Sequence, residues 1–106
     1  MHYVFTGSIT EHRTVVQGQK VTLSCCSQTA MEWRFDNYKI YSLGNVNAKY
    51  SMHIKQGHYN LSFSILSLND SGVYKCFEED GELPLRIFNL TVIHGNCFYF
   101  AIISTK

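Results

Sequence analysis

The sequence has little excess charge of either sign and a single proline. Nine Lys and Arg residues stand against eight Asp and Glu, so the formal net charge at pH 7 is +1. Nucleic acids and anionic membranes usually select a strongly basic surface, so we predict neither as a partner. Aromatic residues make up 14% of the chain, which is unlike a disordered segment. We therefore expect its 106 residues to fold as one domain.

The four cysteines lack the spacing of a zinc site. Cys25 and Cys26 are adjacent, Cys76 lies 51 positions after Cys25, and Cys97 stands alone, so there is no CxxC pair. Four cysteines in so short a chain are instead typical of an oxidised extracellular domain. Three N-glycosylation sequons favour the same location and begin at Asn60, Asn69 and Asn89. We predict a cell-surface or secreted protein with no metal and no cofactor.

The sequence has no hydrophobic run long enough for a membrane span. The apolar run at residues 97–103 is far shorter than the roughly 20 residues that a transmembrane helix needs. The first seven residues, MHYVFTG, lack the basic start and long apolar run of a signal peptide. We expect a mature fragment in which residues 94–106 form a tail or an added strand. Any membrane attachment is expected in a segment not present here.

Apolar and polar residues alternate with a period of two, which predicts half-buried strands. The clearest examples are residues 21–25, 31–35 and 59–68, the last with Ile65 on or near its apolar face. Further strands are predicted at residues 14–16, 39–42, 50–54, 72–77 and 85–93. Glycines at turn-like intervals separate many of these segments. The pattern indicates an all-β antiparallel sandwich or barrel.

Five segments between residues 15 and 93 are informative together: QGQKVTLSC, MEW, AKYS, NLSFSILSLNDSGVYKC and NLTVI. Through them the chain resembles an immunoglobulin-superfamily domain of the variable or intermediate set. It implies an all-β, two-sheet antiparallel immunoglobulin-like sandwich with Greek-key topology over residues 1–93. The type is similar to the ectodomains of lymphocyte receptors and nectin-like proteins, or to a viral or secreted relative. It also implies a disulfide between Cys25 and Cys76 across the core.

The same resemblance assigns roles to four other core residues. Trp33 is expected to pack against the disulfide. The Tyr74 hydroxyl is expected to bond to the backbone near the turn that contains Asp70, because a buried hydroxyl needs a partner. Lys49 is expected to pair with the Asp70 carboxylate, as a basic residue at the start of strand D does in this family.

Cys26 and Cys97 are left over, and their pairing stays open. Alternation turns Cys26 out of the sandwich, whereas Cys97 lies four residues beyond the last predicted strand. The two can bond only if the tail folds back along the domain. Otherwise each is a free thiol or bonds to another chain.

The resemblance implies a binding module and no enzyme. The expected surface is the outer face of the sheet with strands G, F, C and C′, together with the F–G loop, whose sequence EEDGELP is acidic. We expect this surface to meet a basic patch on another cell-surface protein, and the resemblance implies a role in immune recognition. The predicted partner-binding residues are Arg34, Tyr38, Tyr41, Lys75, Phe77, Glu78, Glu79, Asp80 and Glu82. The alternatives are a homophilic adhesion domain, which would form a homodimer, and a viral immune-modulating decoy.

Overall fold

The computed structural model describes residues 9–95, and within that range the chain forms nine β-strands and one turn of 3-10 helix. The strands are β1 (Ile9–Val16), β2 (Thr22–Cys26), β3 (Met31–Phe35), β4 (Tyr38–Ser42), β5 (Asn45–Val46), β6 (Tyr50–Lys55), β7 (His58–Phe63), β8 (Gly72–Glu78) and β9 (Arg86–Ile93). The 3-10 turn spans Leu68–Asp70. The predicted tail, beyond Gly95, and with it Cys97, lies outside the described residues.

The strands form the two packed sheets that the alternation predicts. One sheet has six strands in the order β1-β9-β8-β3-β4-β5, and the other has three in the order β2-β7-β6. All pairs are antiparallel except β1 with β9, which run parallel. In the strand lettering of immunoglobulin-like domains, which the sequence resembles, β9, β8, β3 and β4 correspond to G, F, C and C′, and residues 79–85 form the F–G loop.

Three two-residue turns fix the register of the hairpins. Both central residues have positive φ at 36–37, 43–44 and 56–57, with values between 47° and 83°. Such turns match the right-handed twist of the strands that they connect. Gly44 and Gly57, which the sequence suggested as turn positions, therefore lie in hairpin turns. The turn at Asp36 and Asn37 contains no glycine and was not predicted.

The predicted strand at residues 59–68 is shorter in the structure. β7 ends at Phe63, and Ile65 is 73% exposed. Because alternation places side chains only while the backbone stays extended in a sheet, the prediction that Ile65 joins the apolar face is wrong.

The core lies between the sheets and is crossed by a disulfide. Cys25 on β2 and Cys76 on β8 are bonded, with their Cα atoms 6.6 Å apart. Trp33 is fully buried in the same cluster, and its ring centroid lies 5.8 Å from that of Phe88. The alternation of β2, β3 and β8 thus delivers these side chains to one interior.

A buried hydrogen bond joins β8 to the turn before it. The Tyr74 hydroxyl donates to the backbone oxygen of Asp70 at 2.7 Å. The Asp70 carboxylate accepts a hydrogen bond from the Ser67 amide at 2.7 Å and lies 3.1 Å from Lys49 Nζ. Burial raises the pKa of the Tyr74 hydroxyl, so this group stays protonated and able to donate.

Arginine side chains cover the free edge of β2. Since β1 pairs with β9, β2 has no strand on its outer edge among the described residues. Arg13 donates to the Thr22 oxygen at 3.1 Å, and Arg86 donates to the Ser24 oxygen at 3.0 Å. Glu11 bridges the two guanidinium groups, and its hydrogen bond from Arg13 holds the pKa of the Glu11 carboxyl below its usual value. The edge carbonyls are thus blocked against pairing with another chain.

Candidate functional site

The outer face of the six-stranded sheet carries most of the predicted binding residues. On β3 and β8 the pair Trp33 and Cys76 points inward, so the neighbouring pairs point outward. These are Glu32 opposite Phe77 and Arg34 opposite Lys75. The register therefore brings opposite charges and an aromatic ring together on one face.

Phe77 points outward but is not an exposed contact residue. It is only 4% exposed, because the Arg34 guanidinium carbon lies 3.8 Å from its ring centroid. Stacking of a guanidinium on an aromatic ring is a favourable cation–π contact. The prediction that Phe77 offers an open aromatic surface is therefore wrong, and Arg34 presents the solvent-facing layer there.

Beside Phe77 lies a fully buried carboxylate that the sequence prediction left out of the site. Glu32 is 0% exposed, is bonded to the Arg34 guanidinium, and lies 3.6 Å from Lys39 Nζ. Burial alone would raise the pKa of Glu32. The hydrogen bonds from Arg34 and the Asp80 amide, with the charges of Arg34 and Lys39, outweigh burial and hold the pKa below its ordinary value. Glu32 is therefore ionised at neutral pH.

This ion pair also holds the F–G loop against the sheet. The Asp80 amide donates to Glu32 Oε1 at 3.3 Å, and Arg34 Nη2 donates to the Gly81 oxygen at 3.3 Å. At the loop's ends, Gly81 N donates to Glu78 O at 2.7 Å and Leu85 N to Cys76 O at 2.7 Å. Each of these hydrogen bonds restrains the backbone, so the loop is held in a fixed position against the sheet.

The loop presents exposed acidic and apolar side chains. Asp80 and Glu82 are exposed, and Leu83 is 80% exposed. Leu83 was not among the predicted binding residues, although it lies in the predicted F–G loop. Its position between acidic residues and a proline was the sequence feature that could have indicated its exposure. Glu79 is partly buried and accepts a hydrogen bond from Ser42 Oγ at 2.7 Å.

Three carboxylates of this cluster lie close enough together to be considered as ligands of a metal ion. Oxygens of Glu32, Glu79 and Asp80 lie within 4.8 Å of one another. Lys39 Nζ, however, lies within 4.0 Å of both Glu32 and Asp80, and Arg34 binds Glu32. Protonated side chains already supply positive charge at this point, so the arrangement is an ion-pair network.

The two tyrosines of β4 differ in exposure. Tyr38 is 76% exposed, whereas Tyr41 is 6% exposed with its ring centroid 6.3 Å from that of Tyr59 in the other sheet. The prediction that Tyr41 contacts a partner is wrong. The register shift between Trp33 and Arg34 gives β4 one extra residue, so Tyr41 lies opposite the inward-facing Trp33, while Tyr38 lies beside the exposed turn at residues 36–37.

The remaining predicted residues are spread over several surfaces. Lys75 is partly buried opposite Arg34, and the exposed Glu78 lies at the end of the sandwich, where it lines a cavity with Cys26. Of the sequon residues, Asn89 lies on the outer face of the six-stranded sheet between His12 and Val73. Asn60 is in the centre strand of the other sheet, and Asn69 is exposed in the 3-10 turn.

Comparison with solved structures identifies the fold. The ectodomain of mouse nectin-like molecule 4 (Ig1–Ig3) is 17% identical, with a TM-score of 0.68 over 79% of this chain and 32% of that one. The ZIG-8–RIG-5 IG1–IG1 heterodimer is 16% identical, with a TM-score of 0.68 over 87% and 90% of the two chains. Titin domain I10 is 15% identical, with a TM-score of 0.62 over 83% and 94%. The chain therefore has an immunoglobulin-like fold.

No protein-family model matches the sequence, and no curated protein sequence is significantly similar to it. The likeness to the solved structures, at these identities, defines the fold and not the partner. Between residues 9 and 95 no helix has the length and apolar character to cross a bilayer.

Proposed function

We propose that this domain is a binding module that recognises another cell-surface protein through the outer face of the six-stranded sheet and the F–G loop. The observation that carries the proposal is the attachment of the loop to the buried Glu32–Arg34 pair, which leaves Asp80, Glu82 and Leu83 exposed. A loop that is already ordered loses less conformational entropy on binding.

The charges of the loop favour a partner with a basic surface around an apolar pocket. Asp80 and Glu82 precede the exposed Leu83 in the loop, while the cations Arg34 and Lys39 are engaged with Glu32. An acidic patch accelerates association with a basic partner, and the effect weakens as salt increases. Leu83 would supply an apolar contact next to these acidic residues.

The domain type and location are part of the same proposal. Strands β4 and β5 extend the large sheet beyond β3, as C′ and C″ do in variable-type domains, which supports a variable-set assignment.

The Cys25–Cys76 bond and the three sequons support a cell-surface or secreted glycoprotein, and immune recognition is the role we propose for it. A glycan on Asn89 would lie on β9 beside the edge strand β1, opposite the start of β8, and would leave the F–G loop accessible. We place the domain at residues 1–93, and a homophilic adhesion domain or a viral decoy remains the alternative role.

The test uses the full chain secreted from eukaryotic cells and displayed as a multivalent fusion on a panel of lymphoid and epithelial cells. We expect Asp80→Lys/Glu82→Lys and Leu83→Asp to abolish binding to any cell line that the wild type recognises. The control is Ser51→Lys/His53→Lys, on exposed positions of β6 in the opposite sheet. If the control variant lost binding to the same extent, or if the loop variants kept their binding, the proposed surface would be wrong.

A further inference from the structure

On the sheet opposite the proposed binding face, an exposed cysteine and a histidine are in contact. Cys26 Sγ lies 3.1 Å from His58 Nδ1, and both residues are exposed. Cys26 forms no disulfide with any residue in the described range 9–95. A thiol within hydrogen-bond reach of an imidazole has a base to receive its proton.

The contact is fixed by the fold rather than by the chance position of two surface side chains. Cys26 and His58 are directly opposite in the β2–β7 ladder, and the next pair carries the hydrogen bond from Ser27 N to Gly57 O. Cys26 and His58 therefore form a non-hydrogen-bonded pair, in which opposed side chains come closest. The turn at Gln56 and Gly57, with φ of 52° and 81°, pairs β7 with β6 and so fixes the position of His58 at the start of β7.

The sulfur is also accessible to another molecule. Cys26 lines an open cavity of about 570 Å³ at the end of the sandwich, bordered by residues 27–29 between β2 and β3, the turn 56–57, Glu78 and Leu85. A cavity of this size accommodates a small organic molecule. The pair therefore has both a proton acceptor and room for an incoming reactant.

We propose that Cys26 and His58 form a nucleophile–base pair that makes Cys26 a site of mixed-disulfide formation with low-molecular-weight disulfides of the extracellular medium. His58 accepts the thiol proton, and the Cys26 thiolate attacks one sulfur of the incoming disulfide RS–SR. The RS–SR bond breaks, a Cys26–SR bond forms, and the leaving RS⁻ takes up a proton, so one disulfide is consumed and one formed. This inference does not depend on the proposed binding residues Asp80, Glu82 and Leu83, because none of them borders the cavity.

The experiment incubates the secreted full chain with glutathione disulfide at neutral pH and follows the intact mass without reduction. We expect a glutathionyl adduct on the Cys26 peptide, assigned by peptide mass separately from any adduct on Cys97. The variant His58→Gln should form it at least about tenfold more slowly, because the thiol then has no base within reach to accept its proton. His53→Gln, an exposed histidine on the neighbouring strand β6, should react at the wild-type rate.

Urea unfolding of His58→Gln separates a chemical role from a structural one, since an unchanged midpoint shows that the slower reaction is not due to unfolding. Equal reaction rates in wild type and His58→Gln would overturn the proposal. So would a Cys26–Cys97 peptide in the freshly purified protein, because Cys26 would then hold no thiol to react.

Discussion

The Tyr74 hydroxyl and the backbone oxygen of Asp70 are joined by a buried hydrogen bond of 2.7 Å. Four positions apart in the chain, the two residues connect the interior of β8 to the turn that precedes it. The Asp70 carboxylate in turn meets Lys49 at the entrance to β6. Asp70 thus links a strand of the large sheet to the start of a strand in the small one, through its backbone oxygen and its carboxylate, so the two sheets are joined at this end of the sandwich.

Removing this hydroxyl should destabilise the domain without changing its fold. In Tyr74→Phe the ring remains and the Asp70 oxygen loses its donor, which leaves a buried acceptor unsatisfied. We expect the free energy of unfolding to fall by about 1 to 3 kcal/mol, measured by urea denaturation. Tyr38→Phe, at a 76% exposed position, is the matched control and should change it by less than about 0.5 kcal/mol. Identical losses in both variants would contradict the role of the hydrogen bond.

The core of the fold could be predicted from the sequence because it follows local alternation. Cys25, Trp33, Tyr74 and Cys76 each lie at inward positions of strands that the period-two pattern identified. Such a pattern requires only that the backbone be extended, and it survives errors of one or two residues in the strand ends. Where the strand itself ended early, as before Ile65, the same reasoning failed.

The candidate surface was less predictable because exposure depends on contacts between distant segments. Phe77 does point outward, but Arg34 of a neighbouring strand covers it. The burial of Glu32 depends on an F–G loop that folds back over β3. Neither contact can be read from the local sequence pattern. The alternation of apolar and polar residues therefore predicted which way these side chains point but not how exposed they are.

The disulfide should supply a large part of the stability. The Cys25–Cys76 bond closes a loop with a sequence separation of 51, which on the chain-entropy model is worth about 4 kcal/mol. We expect Cys25→Ala/Cys76→Ala to lose roughly this amount in non-reducing urea denaturation. Cys26→Ala, at the exposed neighbouring position, should change stability by less than about 0.5 kcal/mol. A double variant as stable as the wild type would show that the bond is dispensable.

Gly72 should tolerate no side chain, because the ring of Phe35 occupies the space. A Cβ there would lie 2.5 Å from Phe35 Cε1, and φ is +152°. Phe35 cannot move aside easily, since its ring stacks on Tyr74 with 4.4 Å between centroids. We expect Gly72→Ala to lose about 3 kcal/mol in thermal or urea unfolding.

The control for this substitution is Gly44→Ala. Gly44 also has positive φ, at +83°, but its Cβ would meet nothing within 4 Å. It should lose only about 1 kcal/mol from backbone strain. A loss in Gly72→Ala no greater than in Gly44→Ala would contradict the steric argument.

The Glu32–Arg34 pair should make stability depend on pH in the acid range. The folded-state pKa of Glu32 lies below its ordinary value of 4.5, so the unfolded chain binds a proton at this site first as pH falls. The stabilisation by ionised Glu32 is therefore fully present above that ordinary value and is lost as pH falls through the lowered one. Glu32→Gln removes this contribution, and we expect it to be about 1 to 3 kcal/mol less stable than wild type at pH 7. The difference in unfolding free energy between the two proteins should shrink steadily in urea denaturation between about pH 5 and pH 2.

Lys75→Gln, which removes a charge from the same face without touching Glu32, is the control, and its difference from wild type should stay constant over this pH range. A gap for Glu32→Gln that does not narrow on acidification would show that the carboxylate is not held ionised by Arg34 and Lys39.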